Sequence, residues 1–414
     1  MKVKSGEWKG RQLDELGFVG RGKSRHRPRA ASFLYGGPYP FFQTGDVKAA
    51  NLYLTDFTQT YSAAGLAQSK LWKPGTVCIT IAANIAETAI LGVEGCFPDS
   101  IVGFVADPEK ADARFVKYSI DAMKLQMQGV SHGTTQDNLS VDKLLRFKFL
   151  TPTPRDQRRI ADVLSAYDDL IENNLRRIKI LEEMARALYR EWFVEFRFRG
   201  HDRVPRITSP IGAIPESWPV TPLSELVSTQ YGYTESASEE PVGPKYLRGM
   251  DINKTSFIDW SRVPYCPIAV EEQRTYELKR GDVVVIRMAD PGKVGIVEED
   301  VDAVFASYLI RLTPRSERIL PYFLFFTLDS TDYQDYVSGA STGTTRKSAS
   351  AGVMTEFRLP LPPKELVLGF EEQVRPLRDL LTMLLRASAN LRRTRDLLLP
   401  RLMSGQITLD EAVA

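Results

Sequence analysis

The chain has 414 residues, 43% of them hydrophobic and 26% charged, an ordinary globular profile with room for two or three domains. Cys78, Cys96 and Cys266 show neither metal-ligand spacing nor a disulfide framework, so a reducing cytoplasm is expected. The N-terminal MKVKSGEWKG lacks an apolar signal region, and no stretch approaches the roughly 18–20 apolar residues of a membrane span, so no membrane role is expected. The net charge of +2 hides an asymmetry. Residues 1–150 carry 19 Lys/Arg against 14 Asp/Glu, whereas residues 201–360 carry 17 against 22.

The first segment opens with a basic run. In GRGKSRHRPR, Arg21, Lys23, Arg25, Arg27 and Arg29 occupy every second position, which in an extended chain places all five cations on one face. Such a ladder can follow a phosphate backbone and reach guanine edges; the competing reading is a solvated basic loop. TVCITIA and SIVGFVA follow as short β-branched runs bounded by Gly and Pro, which predicts strands. GTTQ (Gly133–Gln136) supplies small hydroxyls and an amide, suited to phosphates and base edges or simply to a turn.

A long helix comes next. Ile160, Leu164, Tyr167, Ile171, Asn174, Ile178, Leu181, Ala185, Leu188 and Trp192 alternate spacings of 4 and 3, a coiled-coil seam. Asn174 on the seam either fixes register or faces solvent where the helices splay. Asp168, Asp169, Arg176, Arg177, Glu182 and Glu183 flank the seam as a charged, solvated face. Tyr189, Trp192, Phe193, Phe196 and Phe198 exceed what one seam can bury. They pack either on the second domain or on a partner.

The pattern then repeats. Trp8, Leu13 and Leu16 recur as Trp218, Leu223 and Leu226, and GTT recurs at Gly343–Thr345, each 210 residues on. Phe147 and Pro152 recur as Phe357 and Pro362. Between these anchors the shift drifts: Asp46 matches Asp251, Gly75 matches Gly281 and Ser100 matches Ser307, at 205, 206 and 207. DVVVIRM and ASYLIRLTP predict the second set of strands. The second seam, Phe370, Val374, Leu377, Leu381, Leu384, Ser388, Leu391, Arg395, Leu398 and Leu402, lies 210 residues after the first, member by member. Each helix is expected to span roughly 33 residues, or about 50 Å.

Two matched helices on one chain point to an antiparallel pairing within the molecule, with two similar modules held at fixed separation; the rival arrangement, in which the helices pair only with other chains, would need a dimer. The predicted fold is α+β: two tandem pseudo-symmetric β-rich domains, each followed by a long helix, over residues 1–153, 154–200, 211–362 and 363–414. Such a pair of modules suits a bipartite linear target, and double-stranded DNA, with half-sites about 34 Å apart per turn, is the obvious one. Candidate DNA contacts beside the ladder are Gln43, Lys48, Thr134, Thr135 and Gln136 in the first copy. In the second they are Arg248, Lys254, Arg287, Lys293, Thr344, Thr345, Arg346 and Lys347. Methyltransferase, P-loop and nuclease signatures are missing, and His26, His132 and His201 make no ligand cluster, so neither a catalytic site nor a metal site is expected.

At this point the residues resemble a known family. RGKSRHRPR with YGGPYPFFQTGDVK (residues 35–48), the GTTQ loop, PRDQRRIADVLSAYDDLIENNLRRIKILEEMARALYREWF (residues 154–193) and LLLPRLMSGQI (residues 397–407) are similar to the specificity subunit of type I restriction–modification enzymes. The resemblance implies that each β-rich part is a target-recognition domain for one half of a split DNA site. It implies an antiparallel coiled coil acting as a ruler, and two methyltransferase subunits docked on the helices. Restriction subunits complete the assembly. No cofactor is then expected on this chain; AdoMet belongs to the methyltransferase subunit, and ATP and Mg to the restriction subunit. The competing classes are an enzyme of unfamiliar type and a coiled-coil adaptor that does not read DNA. The helix entry PPKELVLGFEEQ departs from TPRDQRRIADV, and Arg395 stands where the first seam has Ala185; both put local helix pairing in question.

Overall fold

The computed structural model describes residues 8–131, 139–342 and 347–407. The chain divides into two compact units, Met1–Asn173 with Ser388–Ala414, and Asn174–Ala387. The division falls inside the long helices, Pro154–Tyr189 and Lys364–Met403, so each unit owns a β-rich part and a segment of both helices. At 36 and 40 residues the helices exceed the expected length, because each begins six residues before the first seam position.

In the first unit a five-stranded sheet runs Gly17–Arg21, Ile101–Ala106, Val77–Thr80, Thr88–Leu91, Tyr53–Leu54. All its pairs are antiparallel except the last. A second sheet contains Gln59–Tyr61, Tyr35–Phe41, Gly95–Cys96 and Leu71–Trp72. In the second unit the main sheet runs Val227–Tyr231, Leu309–Pro314, Val283–Ile286, Val294–Ile296. The two β-branched runs read from each copy are therefore neighbouring strands in each sheet. They are continuous rather than alternating because both faces are covered: all four residues of Val77–Thr80 and of Val283–Ile286 are buried. Gly75 and Gly281, matched in the repeat, sit at φ +87° and +95° in the turns leading to these strands. A side chain there would be strained, which accounts for glycine at both.

The duplication holds for four strands of the main sheet and for the elements that frame each head. Lys9–Arg11 pairs with Phe149–Thr151, and Val220–Pro222 with Arg358–Pro360. Short helices Leu13–Leu16 and Leu223–Leu226 follow the first strand of each pair, and Val141–Leu145 and Ala351–Thr355 precede the last. Each unit also packs an inner helix, Ala113–Ala122 or Pro321–Asp329, against its sheet. The long helices grip these inner helices by their N-terminal ends, where backbone N–H groups lack intrahelical acceptors. Gln157 Oε1 accepts from the Asp112 N–H at 3.1 Å. The Glu371 carboxylate accepts from the N–H groups of Tyr322 and Phe323 at 2.7 and 3.1 Å.

Within each unit the two long helices run antiparallel. In the first, Ile160, Ala161 and Leu164 share a core with Leu402 and Met403, while Asp168 meets Arg395. In the second, Ile178 and Leu181 pack with Leu381 and Leu384, and the Tyr189 ring lies 6.0 Å from that of Phe370. Ile160, Leu164, Ile171, Ile178, Leu181, Ala185, Phe370, Val374, Leu381, Leu384, Ser388 and Leu402 are buried. Tyr167, Asn174, Leu188, Leu377, Leu391 and Leu398 are half-buried. At two repeat-equivalent places burial moves one residue beyond the seam, from Tyr167 to Asp168 and from Leu377 to Arg378. The cause is a third element. Each helix is covered there by its own domain as well as by the other helix, so the buried face is wider than a two-helix stripe.

Asp168 therefore does not belong to the solvated face on which the sequence placed it. It is fully buried, accepts a hydrogen bond from the Tyr118 hydroxyl and pairs with the Arg395 guanidinium. Burial and the adjacent Asp168 push the Tyr118 hydroxyl pKa well above the ordinary tyrosine value. Arg395, which looked like a fault in the second seam, is the counter-charge. Glu182 is likewise half-buried and accepts from Ser256. Arg378 is buried and forms a two-pronged contact with Glu298, both at 2.7 Å, while donating to Ser256 Oγ at 3.0 Å and Ser256 O at 2.7 Å. The surplus aromatics after the first helix pack on the second domain. Phe193 contacts Phe323 at 4.8 Å and Phe370 at 5.1 Å, and Phe198 stacks on Trp218 at 5.4 Å.

Losing one member of a buried pair strands the other. Arg395→Ala is expected to destabilise the protein by about 3 kcal/mol in denaturant titration. Replacing both residues, Asp168→Leu with Arg395→Leu, is expected to cost clearly less than the single change. Equal losses would show that Asp168 does not depend on Arg395.

Candidate nucleic-acid interface

The basic run leaves the sheet at Arg21, the last residue of its edge strand. Gly22 is packed so closely that a Cβ there would lie 2.3 Å from Pro98 O. Gly22 N–H donates to Ile101 O at 2.9 Å, and Lys23 N–H donates to Phe97 O at 3.0 Å. Gln68 Oε1 accepts from the backbone N–H groups of Arg25 and His26, and Ser69 Oγ donates to Lys23 O at 2.8 Å. The loop is thus fastened through its backbone. Gly22 and Ser24 point inward, and Lys23, Arg25, Arg27 and Arg29 point to solvent.

The five cations differ in commitment. Arg29 forms a salt bridge with Asp99 at 2.8 Å, and Arg21 donates to Asp99 O. Arg27 closes the loop on itself, donating to Ser24 O at 2.7 Å and His26 O at 2.9 Å. Lys23 and Arg25 have no side-chain hydrogen bond or ion pair to any described residue. Sequence reasoning missed Lys70. Its ammonium lies 3.6 Å from the Trp72 ring centroid and 4.6 Å from that of Phe18. Burial, and then the charge of nearby Lys23, hold it below the usual lysine pKa. A lysine two residues before a tryptophan was the available signal.

Other sequence candidates are distributed more widely. Gln43 begins the helix Thr44–Ala49, where its N–H donates to Asp46 and its side-chain amide to Gln59 Oε1, both at 2.8 Å. Lys48 is exposed and reaches Asn84 at 3.4 Å. Thr134, Thr135, Gln136, Thr344, Thr345 and Arg346 lie outside the described residues.

In the second unit Gly232 takes the place of Gly22. A Cβ there would lie 2.3 Å from Ala306 O, Gly232 N–H donates to Leu309 O at 3.2 Å, and Tyr233 N–H donates to Phe305 O at 2.8 Å. The anchoring repeats, but the side chains invert in character. The loop now reads Tyr233, Thr234, Glu235, Ser236, Ala237, Ser238, Glu239, Glu240. Arg248 is half-buried and occupied by Asp251 at 3.1 Å. The Arg287 guanidinium lies 5.0 Å from the Tyr231 ring, and its Nε is buried without a partner among the described residues. Lys254, Lys293 and Lys347 are exposed, and the first two line a common cleft of about 250 Å³. The second domain therefore offers scattered cations where the first offers a loop of them.

Duplicated β-rich heads, each keyed to long antiparallel helices and one carrying a fastened basic loop, are the architecture of a DNA-recognition protein, and the described residues include no group of three or more His, Cys, Asp or Glu that could hold a metal ion. Residues 5–183 and 215–371 match the family model of the type I restriction modification DNA specificity domain. The chain is 23% identical to the MjaIX specificity subunit of Methanocaldococcus jannaschii over 98% of this chain and 94% of that one. It is 25% identical to the MjaVIII specificity subunit of the same organism over 77% and 75%. A crystal structure of the type I restriction–modification S subunit from M. genitalium shares the fold, with a TM-score of 0.60 at 17% identity, covering 97% of this chain and 98% of that one. The chain belongs to the type I restriction–modification DNA specificity family, and its role lies in DNA sequence specificity. No helix among the described residues is long and apolar enough to cross a membrane.

Lys23 and Arg25 are the cations of the loop that hold no structural bond. Replacing both with Ala is expected to leave thermal stability unchanged, weaken DNA binding and lower the slope of log K against log salt by about 1.8. An unchanged slope would remove the loop from the phosphate contact.

Proposed function

We propose that this chain is the DNA-addressing subunit of a type I restriction–modification complex and performs no chemistry itself. Each domain reads one half of a split double-stranded site. The long helices set the distance between halves and carry two methyltransferase subunits; restriction subunits complete the assembly. AdoMet is held by the methyltransferase subunits, and ATP and Mg by the restriction subunits, in the cytoplasm. The observation that carries this reading is the pairing of conserved geometry with divergent surface within one chain. Core strands, short flanking helices and loop roots repeat in the same chain order, while the loop at the same root is basic in one copy and acidic in the other. Scaffold repetition with head divergence is what a reader of two unlike half-sites requires, since base readout depends on side chains presented at the head.

Phosphate contacts position a reader and base-edge contacts specify the sequence. Replacing residues 1–150 with the corresponding segment of another family member is expected to change one half-site of the methylated motif and keep the other. The readout is methylome sequencing of cells that also express the methyltransferase subunit. Changes in both halves, or adenine methylation by the purified chain alone, would contradict the proposal.

A further inference from the structure

We propose that Glu235 is a specificity-determining residue of the second domain, a carboxylate that accepts a hydrogen bond from the exocyclic amino group of a cytosine or adenine. This rests on the bipartite reading above. The loops after Gly22 and Gly232 start from the same place, held by the same backbone contacts, so the third residue of each, Arg25 and Glu235, occupies equivalent ground. Both are exposed. A cation there can rest on any phosphate. A carboxylate is repelled by phosphates, and the hydrogen-bond donors that duplex DNA presents to it are base amino groups, which in the major groove distinguish cytosine and adenine from guanine and thymine.

The local structure is built for such a task. Glu235 is fixed by Tyr246, a buried residue whose hydroxyl accepts from the Glu235 N–H at 3.1 Å and donates to the Glu235 carbonyl at 3.2 Å and to Tyr233 O at 2.8 Å. One carboxylate oxygen accepts from the Ser236 N–H at 2.7 Å, and the other has no described partner. The side chain lines a cleft of about 450 Å³. Its wall includes Met250, 67% exposed, and Tyr308, 54% exposed. The Met250 side chain suits an apolar base edge or the thymine methyl and offers nothing to a phosphate, while the Tyr308 ring can pack on a base edge and its hydroxyl can hydrogen-bond there. Among the described residues that line the cleft the arginine is Arg248, which is held by Asp251 and is not free to draw in the DNA backbone. The two heads thereby divide the work: the first contributes salt-sensitive grip through Lys23 and Arg25, and the second contributes discrimination through Glu235.

The test uses the full chain with its methyltransferase partner, in cells whose methylome is sequenced, followed by competition binding of the purified complex to duplexes altered one base pair at a time. Wild-type protein is expected to return two half-sites. Glu235→Ala is expected to lose discrimination by about ten- to hundredfold at one position of the second half-site, with the first half-site and the spacing intact. Glu235→Lys is expected to shift that position towards guanine or thymine, whose major-groove acceptors suit a cation. An unchanged second half-site in both variants overturns the proposal and leaves the bipartite reading standing. Uniform weakening across all base changes also overturns it. A wild-type motif with a single contiguous half overturns both.

Discussion

A charge buried on a helix face must find its counter-charge, and this requirement organises the molecule. Asp168 and Arg378 are repeat-equivalent, both buried, and opposite in sign. Each is answered differently. Asp168 is satisfied by Arg395 on the other long helix and Tyr118 on its own domain; Arg378 is satisfied by Glu298 and Ser256 in the second unit. Leu and Ile at spacings of 3 and 4 would permit several pairings between two such helices. Ion pairs with one geometric solution do not, which makes register fixation their best-attested use.

A second tie works alongside these pairs. Gln157 and Glu371 project from the long helices to satisfy the open N-terminal ends of the inner helices. Burial raises the Glu371 pKa above the usual carboxylate value, while the Phe323 and Tyr322 amides oppose that rise. Helix and domain are thus joined by polar contacts that have little tolerance for sliding. The loops after Gly22 and Gly232 are under no such constraint. They need only a fixed root, which Gly22 and Gly232 supply. A protein built this way can keep its frame while the side chains of its two loops diverge.

Much of this was legible in the sequence because the frame obeys local rules. The strands declared themselves as β-branched runs, the helices by periodicity and the duplication by anchors such as Trp8 and Trp218, each set against aromatic or helix-end residues of its own unit. Asp168 was misplaced because a seven-residue pattern describes contact with one partner, and the domain covering the helix from the side leaves no mark in that pattern. Arg395 looked like a defect for the same reason. The basic loop was found by its alternating cations, but their division into free and committed members depends on Asp99, some 70 residues away, and on carbonyls within the loop. Glu235 carried no signal as a site, since its meaning comes only from superposing one head on the other.

On the proposed reading, the helices fix the geometry in which two heads address DNA. Both long helices run through the boundary between the units, so one heptad inserted after Asn173 and another after Ala387 would leave each unit's contacts intact. Seven helical residues add about 10 Å, or roughly three base pairs. The measurement is the methylated motif of this variant in the assembled complex. Unchanged half-sites with a spacer longer by about three base pairs are expected. An unchanged spacer, or altered half-sites at the original spacing, would contradict it.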